Sequence, residues 1–179
     1  MRGRFLLAGA ILLPAFPAFA LDLPARKPGL WEIKMVFEGR SLPPMTTQHC
    51  IDASTDKMMN ALGGEMSKGM CSKQDVTQSG STLVVDSVCN IGGATTTTHG
   101  VITGDFNSAY TVKTSSKREG GGAVAAAIPA QTNMTIEARW TGACKPDQKP
   151  GDMIMANGIK FNVMDMQKKL GGMAVPQPR

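Results

Sequence analysis

The chain has 179 residues, 42% of them hydrophobic, and a formal net charge of +5. That is enough apolar material for one domain with a real core. The basic residues are scattered rather than clustered among aromatics, which argues against a nucleic-acid partner.

The first twenty residues read as an export signal. Arg2 and Arg4 precede an apolar run from Phe5 to Leu13, Pro14 and Pro17 break it, and Ala18-Phe19-Ala20 has the A-x-A form of a cleavage site. The domain proper is then residues 21–179, a single β-rich unit beginning at Leu21. The apolar run is too short for a membrane span, which takes about 20 residues. Charges and glycines interrupt every later apolar run, so no transmembrane segment is expected in the mature chain. Four cysteines behind such a signal predict a disulfide-stapled domain in the periplasm or secreted beyond it.

Along the domain the apolar period is mostly two. Trp31, Ile33, Met35 and Phe37 alternate with Glu32, Lys34 and Glu38, as a half-buried antiparallel strand requires. Met45 to Ile51 reads as a second strand. Residues 53–62 read as one short helix with a Ser54 cap, ended by Gly63-Gly64. Lys73 to Gln78 and Leu83 to Cys89 flank Ser79-Gly80-Ser81 as a hairpin. Thr95 to Ile102 and Tyr110 to Thr114 form another around Gly104-Asp105-Phe106-Asn107. Residues 120–130 are Gly/Ala-rich and read as a mobile loop. Thr132 to Gly142 is a long strand with Met134, Ile136, Ala138 and Trp140 on one face. Asn157-Gly158 predicts a two-residue hairpin between Asp152–Ala156 and Ile159–Val163. Met164 to Leu170 adds a helical turn or two, and residues 174–179 read as a frayed tail.

The order of these pieces resembles a bacterial family, the domain-of-unknown-function family 3617. The residues that carry it are Lys27-Pro28-Gly29-Leu30-Trp31-Glu32, Cys50, Cys71 and Cys89 around the Ser-Gly turn, Gly104-Asp105, Tyr110, and Arg139-Trp140-Thr141-Gly142-Ala143-Cys144. The resemblance implies an exported domain and assigns no reaction. Gly29-Leu30-Trp31 also resembles the G-x-W that opens lipocalin-type barrels, where a late-strand Arg covers the Trp. That likeness implies such a role for Arg139, while Trp31 and Trp140 read equally as core.

Four cysteines allow three pairings. Cys71 and Cys89 face each other if their hairpin turn has three residues, which leaves Cys50 with Cys144. The competitor joins Cys50 to Cys71 and Cys89 to Cys144. Hairpin geometry leans to the first, but a plain up-and-down strand count puts Cys144 at the opposite end from the other three.

Thirteen methionines are the other unusual feature. Met153, Met155, Met164 and Met166 form two M-x-M pairs that could offer thioethers to Cu(I). Packing in a core poor in aromatics explains them as well. No G-x-S-x-G, H-E-x-x-H or Walker-type loop appears, and His49 and His99 are the only histidines. The reading is therefore a mainly β antiparallel meander, curled into a barrel or sandwich with a lipocalin-like barrel as one form. It is a non-catalytic module for a small ligand or an envelope partner, needing no cofactor. The alternatives are a Met-based Cu(I) protein and an unrecognised hydrolase.

Overall fold

The structure is a computed structural model, described over residues 23–122 and 129–171. The expected export signal, residues 123–128 of the Gly/Ala-rich stretch and the tail at 174–179 lie outside them. In chain order the elements are β1 (Gly29–Phe37), β2 (Met45–Ile51), α1 (Ala53–Met70), β3 (Cys71–Ser79), β4 (Thr82–Ile91), β5 (Ala94–Asp105), β6 (Ala109–Gly120), β7 (Gln131–Gly142), β8 (Asp152–Met155), β9 (Lys160–Asn162) and α2 (Val163–Gly171).

The mainly β, antiparallel expectation holds. All nine strands form one sheet in the order β3-β4-β5-β6-β7-β1-β2-β8-β9. Its edges are β3 and β9, and no ladder joins them, so the sheet is not closed into a barrel. Helix α1 lies on one face of the sheet, in contact with β2, β3 and β4.

The helix is longer than its sequence suggested. It runs for 18 residues through Gly63 and Gly64, neither of which takes the positive φ of a helix-ending glycine. Its cap is Asp52 rather than Ser54: the Asp52 carboxylate accepts from Thr55 N at 2.8 Å, and Thr55 Oγ1 accepts from Asp52 N at 2.9 Å. That reciprocal pair satisfies two donors that a helix start leaves open.

Alternation divides the sheet into two faces. Trp31, Ile33, Met35 and Phe37 of β1 point toward the helix side, and their partners in β7 and β2 continue that face. At one end of it Trp31, Ile33, Ile51 and Ala138 form a buried cluster, with Met59 of α1, Tyr110, Ile136 and Trp140 packed against it. Burying each such large side chain contributes roughly 1.5–3 kcal/mol, so this end anchors the fold.

Disulfides join Cys50 to Cys144 and Cys71 to Cys89. The strand count that opposed Cys144 overlooked the helix. At ~1.5 Å per residue, 18 helical residues carry the chain about 27 Å, from the end of β2 back to the start of β3. Cys50 and Cys144 thus share the Trp31 end, and Cys71 and Cys89 share the other. The Cys71–Cys89 hairpin turns on two residues, with Ser79 opposite Thr82, and a bulge between Cys71 and Lys73 restores the cysteines' register.

The Asn157-Gly158 hairpin exists, but its register differs by one residue. Ile154 faces Lys160 and Met153 faces Phe161. A two-residue type I′ turn needs positive φ at both central positions, and only Gly158 has it, at 82°. Met155 N donates to Ile159 O, leaving a three-residue loop.

Candidate binding face

Helix α1 packs on one side of the sheet, and the two ends of that side differ. The Trp31 end is closed by the segment that leads into β1. Lys27 N donates to Phe106 O at 2.9 Å, Trp31 Nε1 to Lys27 O at 2.8 Å and Trp140 Nε1 to Pro28 O at 3.1 Å. Beneath this strap lies a polar cluster. Arg26 donates to Asp56 twice at 2.8 Å, from its backbone N and from Nε. Asp56 comes from the first turn of α1 and is fully buried. Tyr110 stands beside Arg26, its ring centroid 5.6 Å from that of Trp31 and 4.7 Å from that of Phe106. Burial pushes the Tyr110 phenol up, and the neighbouring Arg26 charge opposes that.

His49 lies across from Trp31 on β2. Its Nε2 is 3.1 Å from Thr47 Oγ1, and its buried Nδ1 has no hydrogen-bond partner. Burial, then the Arg26 charge, lowers its pKa to about 4, so the ring is neutral at ordinary pH.

Away from that end the same face is buried in part, at Leu83, Ile102 and Ala94. Met35, Phe37, Val85, Val112, Met134 and Ile136 all point inward by register yet stay only half-buried. Hydroxyls line the adjoining stretch: Ser87, Thr98, Thr114 and Ser116, with Thr98 Oγ1 and Ser116 Oγ 2.9 Å apart. The helix side of the sheet thus carries a half-buried apolar stretch beside a hydroxyl-bearing one, a candidate trough above the packed Trp31 floor.

The residues singled out from sequence fall in different places. Trp31 is fully buried in the floor, with Trp140 opposite it on β7. Arg139 does not cover Trp31. It faces Glu32 across the β1–β7 ladder, on the outer side, because neighbouring strand residues point to opposite faces. The cation over an indole is instead Lys27, whose Nζ is 3.6 Å from the centre of the Trp140 ring. Arg139, Glu32, Lys34 and Glu137 line a shallow outer furrow of about 440 Å³, where Lys34 pairs with Glu137 at 3.3 Å.

The methionine pairs do not converge as strand neighbours. Met153 and Met155 face His49 and Thr47 from β8. Met164 and Met166 lie in α2, where residues two apart point about 200° from each other. Among the described residues no group of three or more His, Cys, Asp or Glu side chains could hold a metal ion. On the outer face His99 Nδ1 meets Asp86 Oδ1 at 2.8 Å, both largely exposed.

Sequence reasoning missed the buried Arg26–Asp56 pair. The available signal was Asp56 lying three residues before Met59, an acid on the apolar side of a helix.

Residues 26–144 match the family model described as "Protein of unknown function (DUF3617)". The chain belongs to that family. No curated protein and no solved structure matches it. The matched span begins at Arg26 and ends at Cys144, so it contains β1 to β7, all four cysteines, the floor and the trough. The β8–β9 hairpin and α2 lie beyond it.

Proposed function

We propose that the protein is a non-catalytic binding module that takes a small, mainly apolar ligand into the trough. One observation carries this reading: the inward side chains of Met35, Phe37, Val112, Met134 and Ile136 stay half-buried, while Trp31, Ile33, Ile51 and Ala138 on the same side are buried. Ligand pockets are lined mainly by apolar side chains with a few placed polar groups, as this stretch is. The helix across this face favours a small molecule over a flat protein partner. The two disulfides and the signal-like start support a periplasmic or secreted location. Among the described residues no helix is long and apolar enough to cross a membrane.

Native mass spectrometry of protein purified from the cell envelope, with no ligand added, tests the reading. The expected spectrum carries a retained small-molecule mass that Ile136→Arg removes. A ligand-free spectrum, together with no uptake of a neutral apolar fluorophore, would overturn it.

A further inference from the structure

The outer furrow, about 440 Å³ in volume, is lined by Glu32, Lys34, Ala109, Thr111, Glu137 and Arg139. That volume lies within the range of small-ligand sites. Its hollow comes from the sequence. Asp105, Ala109, Arg139 and Glu32 stand in one cross-strand row on the outer face, and the short Ala109 side chain leaves room between longer neighbours.

Most charges around the hollow are already engaged. Lys34 Nζ pairs with Glu137 at 3.3 Å. Asp105 accepts from Asn107 N at 2.8 Å and from Ser108 Oγ at 3.0 Å, within its own turn. Glu32 and Arg139 differ. They face each other across the β1–β7 ladder, a position in which opposite charges attract. Among the described residues, neither side chain makes a hydrogen bond or an ion pair. The ladder shifts register next to them, between Leu30 and Trp31, and a bulge re-aims the side chains beside it. An exposed pair gains little by closing, so leaving it open costs the fold little.

We infer that the furrow binds the zwitterionic head of an α-amino acid, with its carboxylate on Arg139, its ammonium on Glu32 and its side chain over Ala109 and Thr111. This site lies on the opposite face from the trough and does not rest on the trough reading. A guanidinium presents a forked set of donors that matches a carboxylate. A simple anion there would be repelled by Glu32, and a simple cation by Arg139. A molecule with both charges on one carbon satisfies both groups at once.

The test is an NMR titration of the isotope-labelled protein with L-leucine, N-acetyl-leucine and leucinamide. The second probe lacks the ammonium and the third lacks the carboxylate. Leucine is expected to bind about 10-fold tighter than either derivative, with shifts centred on Glu32, Ala109 and Arg139. Glu32→Gln should remove the preference over N-acetyl-leucine, and Arg139→Gln the preference over leucinamide. Both residues are exposed, and melting of each variant within about 2 °C of the parent shows that the change is local. Equal binding of the three probes, no binding of leucine, or preferences that survive both substitutions would overturn the inference.

Discussion

The two ends of the helix side of the sheet are built from the same strands with the same alternation, yet they are packed to different extents. At the Trp31 end, α1 contributes Met59 and Asp56, the leading segment folds across, and a disulfide ties β2 to the chain beyond β7. Away from it Met35, Phe37, Val112 and Met134 stay half-buried, although Leu83, Ile102 and Ala94 on the same face are buried. An apolar strand face is thus a statement about solvent, and what covers it is decided by other elements. Stability is expected to reside at the floor and binding at the trough.

The disulfides give the largest contrast. The Cys50–Cys144 bridge spans 94 residues at the floor, and the Cys71–Cys89 bridge spans 18 at the other end. Chain entropy alone gives about 4.7 kcal/mol for the first and about 3 kcal/mol for the second. Paired Cys→Ser variants compared by urea unfolding should rank in that order. A reversed ranking would break the assignment of the floor as the anchor.

Next comes the buried ion pair. Asp56→Ala leaves Arg26 unpaired beneath the strap and should cost about 3–5 kcal/mol. Replacing both residues with apolar ones should cost much less than the single change. If Asp56→Ala unfolds within about 1 kcal/mol of the parent, the polar cluster is not a structural anchor.

His49 adds a pH dependence. Burial lowers its folded pKa to about 4 from an ordinary 6.5. Between those values the unfolded chain binds a proton that the folded chain refuses, so stability falls as pH drops from about 6.5 to about 4 and then levels off. The loss is up to about 3 kcal/mol. His49→Gln should flatten that part of the stability–pH curve. An unchanged slope in the variant would assign the acid sensitivity to other groups.

Truncations complete the series. Ile33→Ala or Ile51→Ala at the floor should cost about 2–5 kcal/mol. Val112→Ala or Met134→Ala in the trough should cost under about 1 kcal/mol while weakening probe binding several-fold. Equal stability losses at both ends would mean that the trough is ordinary core.

Much of the fold was legible because it depends on local patterning. The alternation around Trp31, the β2 limits and the long strand bearing Met134, Ile136 and Ala138 are all period-two signals. What escaped was non-local. Gly63-Gly64 looked like a helix end, but an Asp52–Thr55 box at one end and the turn into Cys71 at the other let α1 run past it. Missing its length misplaced Cys144 in the strand count. Asn157-Gly158 specified a hairpin but not its register, since Asn157 keeps negative φ. Arg139 was assigned to Trp31 by a motif, whereas alternation alone places it on the other face from Trp140. The Arg26–Asp56 contact joins residues 30 apart, and no pattern in the sequence links them.

The most direct test of the account is a crystal structure of the protein grown with a long-chain fatty acid brominated at the far end of its alkyl chain. Anomalous scattering then locates the chain terminus without ambiguity. The account predicts a bromine peak between Val112, Ile136 and the Trp31 floor. A bromine in the outer furrow beside Glu32 and Arg139, or a trough whose side chains close on one another with no bromine inside, would contradict it.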